Sequence, residues 1–204
     1  MTTFVALLRA VNVGGHAQIP MTRLRDSMAG LGFANVRTYL QSGNALFDAE
    51  SGSRQEHAAA IALRIERDFG PRVGVLVLAA EDMARVAAAN PFAGDPGFDE
   101  KSSHVTFLFG EAGEADFGEA SEAAYSAAYE AAFVKLALPV AEGERAAFVG
   151  TPALATPVVY LHLPHGYSRT KLNNASFERS LGAAATTRSW RTVRALVELG
   201  VGSA

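Results

Sequence analysis

A run of apolar residues and a glycine turn open the sequence, T-F-V-A-L-L-R-A-V-N-V-G-G at residues 3–15. The run from Thr3 to Val11 predicts a buried β-strand, and the four residues after it predict the turn that ends the strand. Apolar residues then recur at the spacing of one helix face, at Met21, Leu24, Met28 and Leu31. The chain is therefore expected to pass from a β-strand through a glycine turn into an amphipathic helix.

The residues that follow complete a four-stranded pattern. Alternating polar and apolar residues at 35–41 and 44–48 predict two strands joined by a tight turn at Ser42-Gly43. The tetrapeptide S-R-Q-E at 53–56 is a capping box and predicts the start of a second helix. Residues 72–79 predict a further strand. The resulting order, β-α-β-β-α-β, is that of a ferredoxin-like unit.

The same order of elements is predicted again later in the chain. A helix at 81–89 and a glycine- and proline-containing linker at 93–103 separate the two repeats. Strands are then expected at 104–110, 144–149, 158–163 and 184–187, and helices at 119–134, at 171–181 with Thr170 as cap, and after Ser189. The predicted fold class is α+β with tandem ferredoxin-like (βαββαβ) units. The predicted domains are 1–92, which includes a connecting helix, and 104–204, which includes an extra C-terminal helix.

Composition excludes several classes of protein. The 204 residues are 49% hydrophobic and 19% charged, which is typical of a globular chain rather than a disordered one. There is no cysteine, which excludes disulfides, thiolate nucleophiles and cysteine zinc sites. The longest apolar run, Val73–Ala80, is far shorter than the roughly 20 residues of a membrane span. A cytoplasmic protein with no membrane partner is predicted.

Positive charge is concentrated at the two ends of an acidic chain. The net charge is −3, which argues against bulk electrostatic binding of nucleic acid. Residues 1–45 nevertheless contain four arginines and one aspartate, and residues 164–204 contain six Lys and Arg against two glutamates. Either this distribution serves solubility, or the two ends meet and form one electropositive cleft.

The first basic end contains a candidate anion site. The glycine loop, with Gly14 and Gly15, lies before a helix and can offer backbone N–H groups to an anion. The planar guanidinium of Arg9 suits a phosphate or a carboxylate. The polar residues that complete this set are Asn12, Gln41, Ser42 and Asn44. The alternative is structural: an ordinary turn, an arginine paired with an acidic neighbour, and amides that bond the backbone of the turn.

The second basic end contains a further set of candidates, Lys171, Asn173, Arg188, Trp190 and Arg191. Two arginines beside a tryptophan can stack on a base or hold an anion. The alternative is a buried tryptophan with exposed arginines. The motif H-L-P-H at 162–165 fits no zinc spacing, so neither a metal nor a cofactor is predicted. No acid–base pair can be assembled from spacing, which leaves open whether the protein is an enzyme.

Several of these segments resemble one known family. The segments are L-R-A-V-N-V-G-G at 8–15, L-G-F at 31–33, T-Y-L-Q-S-G-N at 38–44, N-P-F at 90–92, K-L at 171–172 and A-T-T-R-S-W at 185–190. Together they resemble the bacterial family called domain of unknown function 1697. The resemblance implies tandem ferredoxin-like units, and it carries no activity, cofactor or catalytic residue.

Three functions are consistent with the sequence. The favoured hypothesis is a binder of a small anionic ligand, held between the two units by residues that mainly donate hydrogen bonds. The second is single-stranded nucleic-acid binding, by analogy with the RNA-recognition motif, although the third strand lacks that motif's aromatic pattern. The third is a protein-interaction module without catalysis. The sequence does not indicate the oligomeric state.

Overall fold

The computed structural model describes residues 1–14, 17–109, 141–150 and 154–202. The strands are β1 (Thr2–Leu8), β2 (Ala34–Tyr39), β3 (Asn44–Ala49), β4 (Val75–Ala79), β5 (Ser103–Phe109), β6 (Arg145–Val149), β7 (Val158–His162) and β8 (Ala184–Ser189). The helices are α1 (Met21–Ala29), α2 (Arg54–Phe69), α3 (Ala80–Ala88), α4 (Asn174–Leu181) and α5 (Trp190–Val201), with a short 3-10 turn at Tyr167–Arg169. The predicted α+β class is confirmed. The helix predicted at 119–134 lies outside the described residues.

The strands form two antiparallel sheets of four strands each. The first has the spatial order β2-β3-β1-β4, and the second has the order β6-β7-β5-β8. In each sheet the first strand in sequence is therefore central and pairs with the third and fourth. Thr2 to Leu7 pair with Ala49 to Asn44 in the first sheet, and His104 pairs with Leu161 and Ser189 in the second.

The described residues divide into two compact units, which we call unit 1 and unit 2. Unit 1 comprises Met1–Ala84 together with residues 196–202, and unit 2 comprises the described residues from Arg85 to Ala195. The domain bounds 1–92 and 104–204 stay a prediction. No helix in the described part of the chain is long and apolar enough to span a membrane.

The core of unit 1 lies between its sheet and helices α1 and α2. Phe4 and Leu8 of β1 pack with Leu24 of α1 and Ile61 of α2, and full burial of each such side chain contributes about 1.5–3 kcal/mol. Helix α2 begins at the predicted capping box: Ser53 Oγ accepts from the Glu56 N–H at 3.2 Å, and the Ser53 N–H donates to Glu56 Oε2 at 2.7 Å.

Strand β1 is buried on both faces. Phe4, Ala6 and Leu8 point to the helix side, while Val5 and Leu7 alternate with them and are 0% exposed. A strand with two buried faces needs an uninterrupted apolar sequence rather than alternation. This explains why the opening run contains no polar residue before Arg9 except the threonines at its start.

Helix α4 of unit 2 begins later than the sequence predicts. Its cap is Asn173, whose Oδ1 accepts from the Ser176 N–H at 3.1 Å, and the cap predicted at Thr170 is wrong. The Thr170 hydroxyl is buried, where it donates to Glu144 Oε2 at 3.1 Å and accepts from the Leu172 N–H at 3.0 Å. These two bonds occupy the hydroxyl that would otherwise cap a helix. The helix ends, as predicted, at Gly182 with a left-handed φ of 68°.

The segment predicted as a linker packs onto unit 2. The Arg145 guanidinium lies 4.6 Å above the Phe92 ring, and its Nη1 is 2.6 Å from Asp95 Oδ2. Further along, the Phe98 ring meets Trp190 edge-on at 5.9 Å. Residues 92–98 are therefore held against strand β6 and helix α5 by specific side-chain contacts.

Candidate functional site

Two loops of unit 1 meet at one end of β1. We call residues 9–14 the β1 loop and residues 40–43 the β2–β3 turn. The Leu8 N–H donates to the Gly43 carbonyl at 2.8 Å. Gly43 has a φ of 76°, and a Cβ there would lie 2.3 Å from Val11 Cγ2 and 2.7 Å from Leu8 Cβ. Only glycine allows the turn to approach β1 this closely.

The side chain of Asn12 joins the two loops. Its Nδ2 donates to the Ile19 carbonyl at 2.9 Å and to the Gln41 carbonyl at 2.8 Å, and its Oδ1 accepts from the Ile19 N–H at 2.8 Å. Both amide hydrogens and the amide oxygen are thus bonded to backbone. Asn12 holds the β1 loop in shape, and its amide is used within the fold.

Left-handed backbone recurs at every second residue of the β1 loop. The φ angles are 54° at Ala10, 54° at Asn12 and 60° at Gly14, and Val11 and Val13 between them have negative φ. Left-handed residues at alternating positions are a feature of loops whose N–H groups bind anions. In this loop the Asn12 N–H is used within the fold, where it donates to the Ala17 carbonyl at 3.2 Å. Alanine and asparagine adopt this backbone at a cost of about 1–2 kcal/mol per residue relative to their favoured conformation.

Helix α1 begins at Met21, seven residues after Gly14. Its N-cap is Pro20, which offers no side-chain acceptor, and no acidic residue lies in its first turn. The first N–H groups of a helix carry a partial positive charge that an acceptor or an anion satisfies. The loop and the start of α1 thus supply positive potential. No carboxylate lies in the first turn of the helix to neutralise it.

The remaining candidates of the first basic end differ in exposure. Arg9 is half-buried, Gln41 is exposed and Ser42 is half-buried. Asn44 is buried and donates to the Tyr39 carbonyl at 2.8 Å and to Ser42 Oγ at 3.1 Å. Gly14 is exposed, and Gly15 lies outside the described residues. For Asn12 and Asn44 these hydrogen bonds to the turn and the loop support the structural alternative.

The candidates of the second basic end belong to unit 2, where several are committed to the fold. Asn173 caps α4, and Trp190 is 5% exposed with its ring against Phe98. Arg188 is 6% exposed, and its Nη1 donates to Thr186 Oγ1 at 2.7 Å and to the Thr187 carbonyl at 3.0 Å. Burial lowers the pKa of Arg188 to about 10, which leaves the guanidinium charged at neutral pH. Lys171 and Arg191 are exposed.

A polar cluster in unit 2 was not predicted from the sequence. The Tyr167 hydroxyl donates to Thr187 Oγ1 at 3.1 Å, and Thr187 Oγ1 donates to Asn174 Oδ1 at 2.6 Å and lies 2.8 Å from Thr106 Oγ1. The His104 ring stacks on Tyr167 at 5.4 Å. Burial lowers the pKa of His104 and raises that of Tyr167. The sequence signal that could have revealed this cluster is the alternation along β5 and β8, which places His104, Thr106 and Thr187 on one face of the sheet.

No group in the described part of the chain is arranged to hold a metal ion: nowhere in it do three His, Asp or Glu side chains converge.

Comparison with known proteins identifies the family. The family model described as "Protein of unknown function (DUF1697)" matches residues 1–135. The chain belongs to this family. The resemblance seen in the sequence is thereby confirmed, and the matched range of this DUF1697 chain contains both the β1 loop and the β2–β3 turn. Lys171, Asn173 and residues 188–191 lie beyond the matched range.

A solved structure has the same overall fold as this DUF1697 chain. The conserved bacterial protein SP0830 from Streptococcus pneumoniae is similar with a TM-score of 0.63 and 18% sequence identity, over 98% of this chain and 99% of that one. At this identity the likeness shows the fold alone. A search of curated proteins found no match.

Proposed function

We propose that unit 1 binds a small phosphate- or carboxylate-bearing ligand at the β1 loop. The observation that carries the proposal is the left-handed backbone at Ala10, Asn12 and Gly14, a pattern of loops whose N–H groups bind anions. The start of α1, seven residues after Gly14, has no side-chain cap and adds positive potential.

The loop is held by hydrogen bonds and packing within the fold, which favours binding. The three side-chain bonds of Asn12 and the close contact of Gly43 with Val11 fix the loop and the turn together. A binding site that is already ordered loses little conformational entropy when the ligand binds. The conformational strain of the left-handed residues is then offset by contacts within the fold, and ligand binding does not have to supply that energy.

Side chains beside the loop complete the donor set. Arg9 stands at the first position of the loop, and its guanidinium suits two oxygens of a phosphate or carboxylate. The exposed amide of Gln41 and the hydroxyl of Ser42 lie on the turn that Asn12 joins to the loop. That Lys171 and Arg191 lie in one cleft with Arg9, Gln41 and Ser42 stays a prediction. The proposed site needs residues of unit 1 alone.

We also propose that each unit has a ferredoxin-like fold. Unit 1 has the order β-α-β-β-α-β with sheet order β2-β3-β1-β4, and unit 2 repeats the sheet order. Both features support tandem ferredoxin-like domains with the bounds 1–92 and 104–204.

The nucleic-acid alternative receives less support. Proteins that bind RNA on a four-stranded sheet stack bases on exposed aromatic residues of the central strands. Here the aromatic residues of the central strands are buried: Phe4 is 8% exposed, and Phe47, Phe107 and Tyr160 are 0% exposed. A small anion at the β1 loop needs no exposed aromatic surface.

Isothermal titration with inorganic phosphate and with acetate tests the proposal. We expect saturable binding of at least one of the two anions, and a loss of affinity of about tenfold or more in Arg9→Ala, because a bond to a charged group contributes about 1.5–3 kcal/mol. Arg67→Ala is the matched control, since the Arg67 side chain is 78% exposed on α2. Absence of binding, or equal losses in the two variants, would overturn the proposal.

A further inference from the structure

One aromatic side chain holds a surface turn of unit 2 against its sheet. The turn, residues 164–169, follows β7 and includes the 3-10 segment Tyr167–Arg169. Leu163 before it and Thr170 after it are buried, whereas four of the six residues of the turn are exposed. The two half-buried residues are Gly166 and Tyr167, and only the second has a side chain to bury. The attachment of the turn to the sheet therefore depends mainly on Tyr167.

The Tyr167 hydroxyl belongs to a closed set of hydrogen bonds. It donates to Thr187 Oγ1 at 3.1 Å and accepts from the Asn174 N–H at 3.2 Å. Thr187 Oγ1 in turn donates to Asn174 Oδ1 at 2.6 Å. Because the one hydroxyl hydrogen of Thr187 is used there, Thr106 must be the donor of the 2.8 Å bond between the two threonines. The Asn174 N–H thus reports directly whether the Tyr167 hydroxyl is in place.

The imidazole of His104 stacks on Tyr167 and has one unsatisfied nitrogen. The two rings lie with centroids 5.4 Å apart and an angle of 29° between their planes. His104 Nδ1 is buried and has no hydrogen-bond partner among the residues that the structure describes. A neutral imidazole tolerates this arrangement, because one of its nitrogens carries no proton, whereas both nitrogens of an imidazolium are donors. Protonation of His104 would therefore leave a buried, charged N–H without an acceptor, which is unfavourable.

The groups that face the His104 ring do not offset this cost with a negative charge. Its partners across the sheet are Leu161 in β7 and Ser189 in β8, and neither of them titrates. The Tyr167 phenol is neutral, because burial raises its pKa. The charged residues that act on that phenol are Glu178 and Arg188. The pKa of His104 is lowered by burial, and only a hydrogen bond to the backbone opposes this.

We propose that the His104–Tyr167 stack is a pH-sensitive latch, in which protonation of His104 releases Tyr167 and lets residues 164–169 move away from the sheet. Gly166, with a φ of 84°, provides a flexible position directly before Tyr167. The closed latch keeps His104 neutral, whereas the imidazole of the open latch has its ordinary pKa of 6.5. The closed form is therefore favoured above about pH 6.5 and is progressively lost as the pH falls toward the lowered pKa. Release exposes the Thr187 hydroxyl and the imidazole.

Hydrogen exchange of the Asn174 N–H, corrected for the intrinsic exchange rate at each pH, measures the latch. Between about pH 7.5 and about pH 5.5 we expect its protection factor to fall by about threefold or more, with a limit of about tenfold set by a single proton. The Ser176 N–H, which donates to Asn173 Oδ1 in the same first turn of α4, should keep its protection. His104→Phe keeps an aromatic ring that cannot be protonated, so the pH dependence at Asn174 should disappear.

Titration of the His104 ring by nuclear magnetic resonance is a second measurement that does not need His104→Phe to fold. The ring should titrate below pH 6.5 in the wild type and closer to 6.5 in Tyr167→Ala, which lacks the stacked phenol. The latch is overturned if the wild-type protection at Asn174 does not change with pH, or if it falls in step with that at Ser176. A pH dependence that persists in His104→Phe, or a His104 titration that Tyr167→Ala leaves unchanged, also overturns it.

Discussion

The side-chain amide of Asn12 donates a 2.8 Å hydrogen bond to the carbonyl oxygen of Gln41, which lies 29 residues further along the chain. The same side chain makes two bonds to the backbone of Ile19. One residue thus connects the loop after β1, the start of α1 and the turn between β2 and β3. The shape of the candidate anion site depends on this connection.

Two replacements of Asn12 should separate the contribution of its hydrogen bonds to stability from the contribution of its backbone conformation. Asn12→Gly loses the three side-chain bonds but accepts a φ of 54°, whereas Asn12→Ala loses the bonds and strains the backbone. We expect urea unfolding to show a loss of about 2 kcal/mol for Asn12→Gly and about 1 kcal/mol more for Asn12→Ala. Equal stability of Asn12→Ala and the wild type would show that the connection contributes nothing.

Gly43→Ala should be among the most damaging small substitutions in unit 1. The added Cβ meets Val11 Cγ2 at 2.3 Å and Leu8 Cβ at 2.7 Å, and the backbone φ of 76° is unfavourable for alanine. Overpacking and strain together predict a loss of about 2–5 kcal/mol. Gly32→Ala is the matched control: its φ is 88°, nothing lies within 4 Å of the new Cβ, and only the strain of about 1–2 kcal/mol remains. Thermal unfolding of both variants measures the difference, and similar losses would contradict the close approach.

The stability of unit 1 should decrease as the pH falls below neutrality because of His57. The ring lies among Phe4, Phe33 and Phe47, with centroids 4.9, 5.2 and 5.6 Å away, and its Nε2 is buried without a hydrogen-bond partner. Burial lowers the pKa of His57 below its ordinary value of 6.5, and the charge of Glu56 opposes this in part. The unfolded chain therefore binds a proton that the folded chain does not, and stability is lost as the pH falls from about 6.5 toward the lowered pKa.

Urea unfolding at a series of pH values measures this loss. His57→Leu should remove part of the pH dependence, and the part that remains includes His104, whose pKa burial also lowers. A pH profile that His57→Leu does not flatten would contradict the assigned environment.

Arg188 should contribute mainly to the stability of unit 2. Its guanidinium is buried and bonded to Thr186 Oγ1 and the Thr187 carbonyl, so Arg188→Ala leaves a cavity and removes both bonds. We expect a loss of about 2–4 kcal/mol in chemical unfolding. Arg191→Ala, at an exposed position of the same sequence motif, should change stability by less than about 0.5 kcal/mol. The reverse ranking would place Arg188 outside the core.

Local signals in the sequence predicted most elements because each depends on neighbouring residues. Ser53 with Glu56 and Ser189 with Thr192 form their caps within three positions, and Gly182 ends α4 where glycine was expected. The later start of α4 depends on a bond from Thr170 to Glu144, 26 residues away. Such a bond leaves no periodic pattern in the sequence.

Part of the candidate site was predicted from the sequence, because some of its residues are neighbours in the chain. Arg9, Asn12 and Gly14 are near neighbours in the chain, so their proximity follows from the sequence. The burial of Arg188 does not, because alternation along β8 gives the face of a residue but not whether that face is covered. The reach of the Asn12 amide to Gln41 depends on the pairing of the strands and became visible only in the fold.

The most direct test is a titration of the isotope-labelled protein with inorganic phosphate, followed by the amide resonances of the backbone. The account predicts saturable shifts concentrated at the N–H groups of residues 10–14 and of the first turn of α1, with the amides of α4 and β6 unmoved. Spectra that do not change, or shifts scattered over both units without saturation, would contradict the claim that the loop after β1 binds an anion.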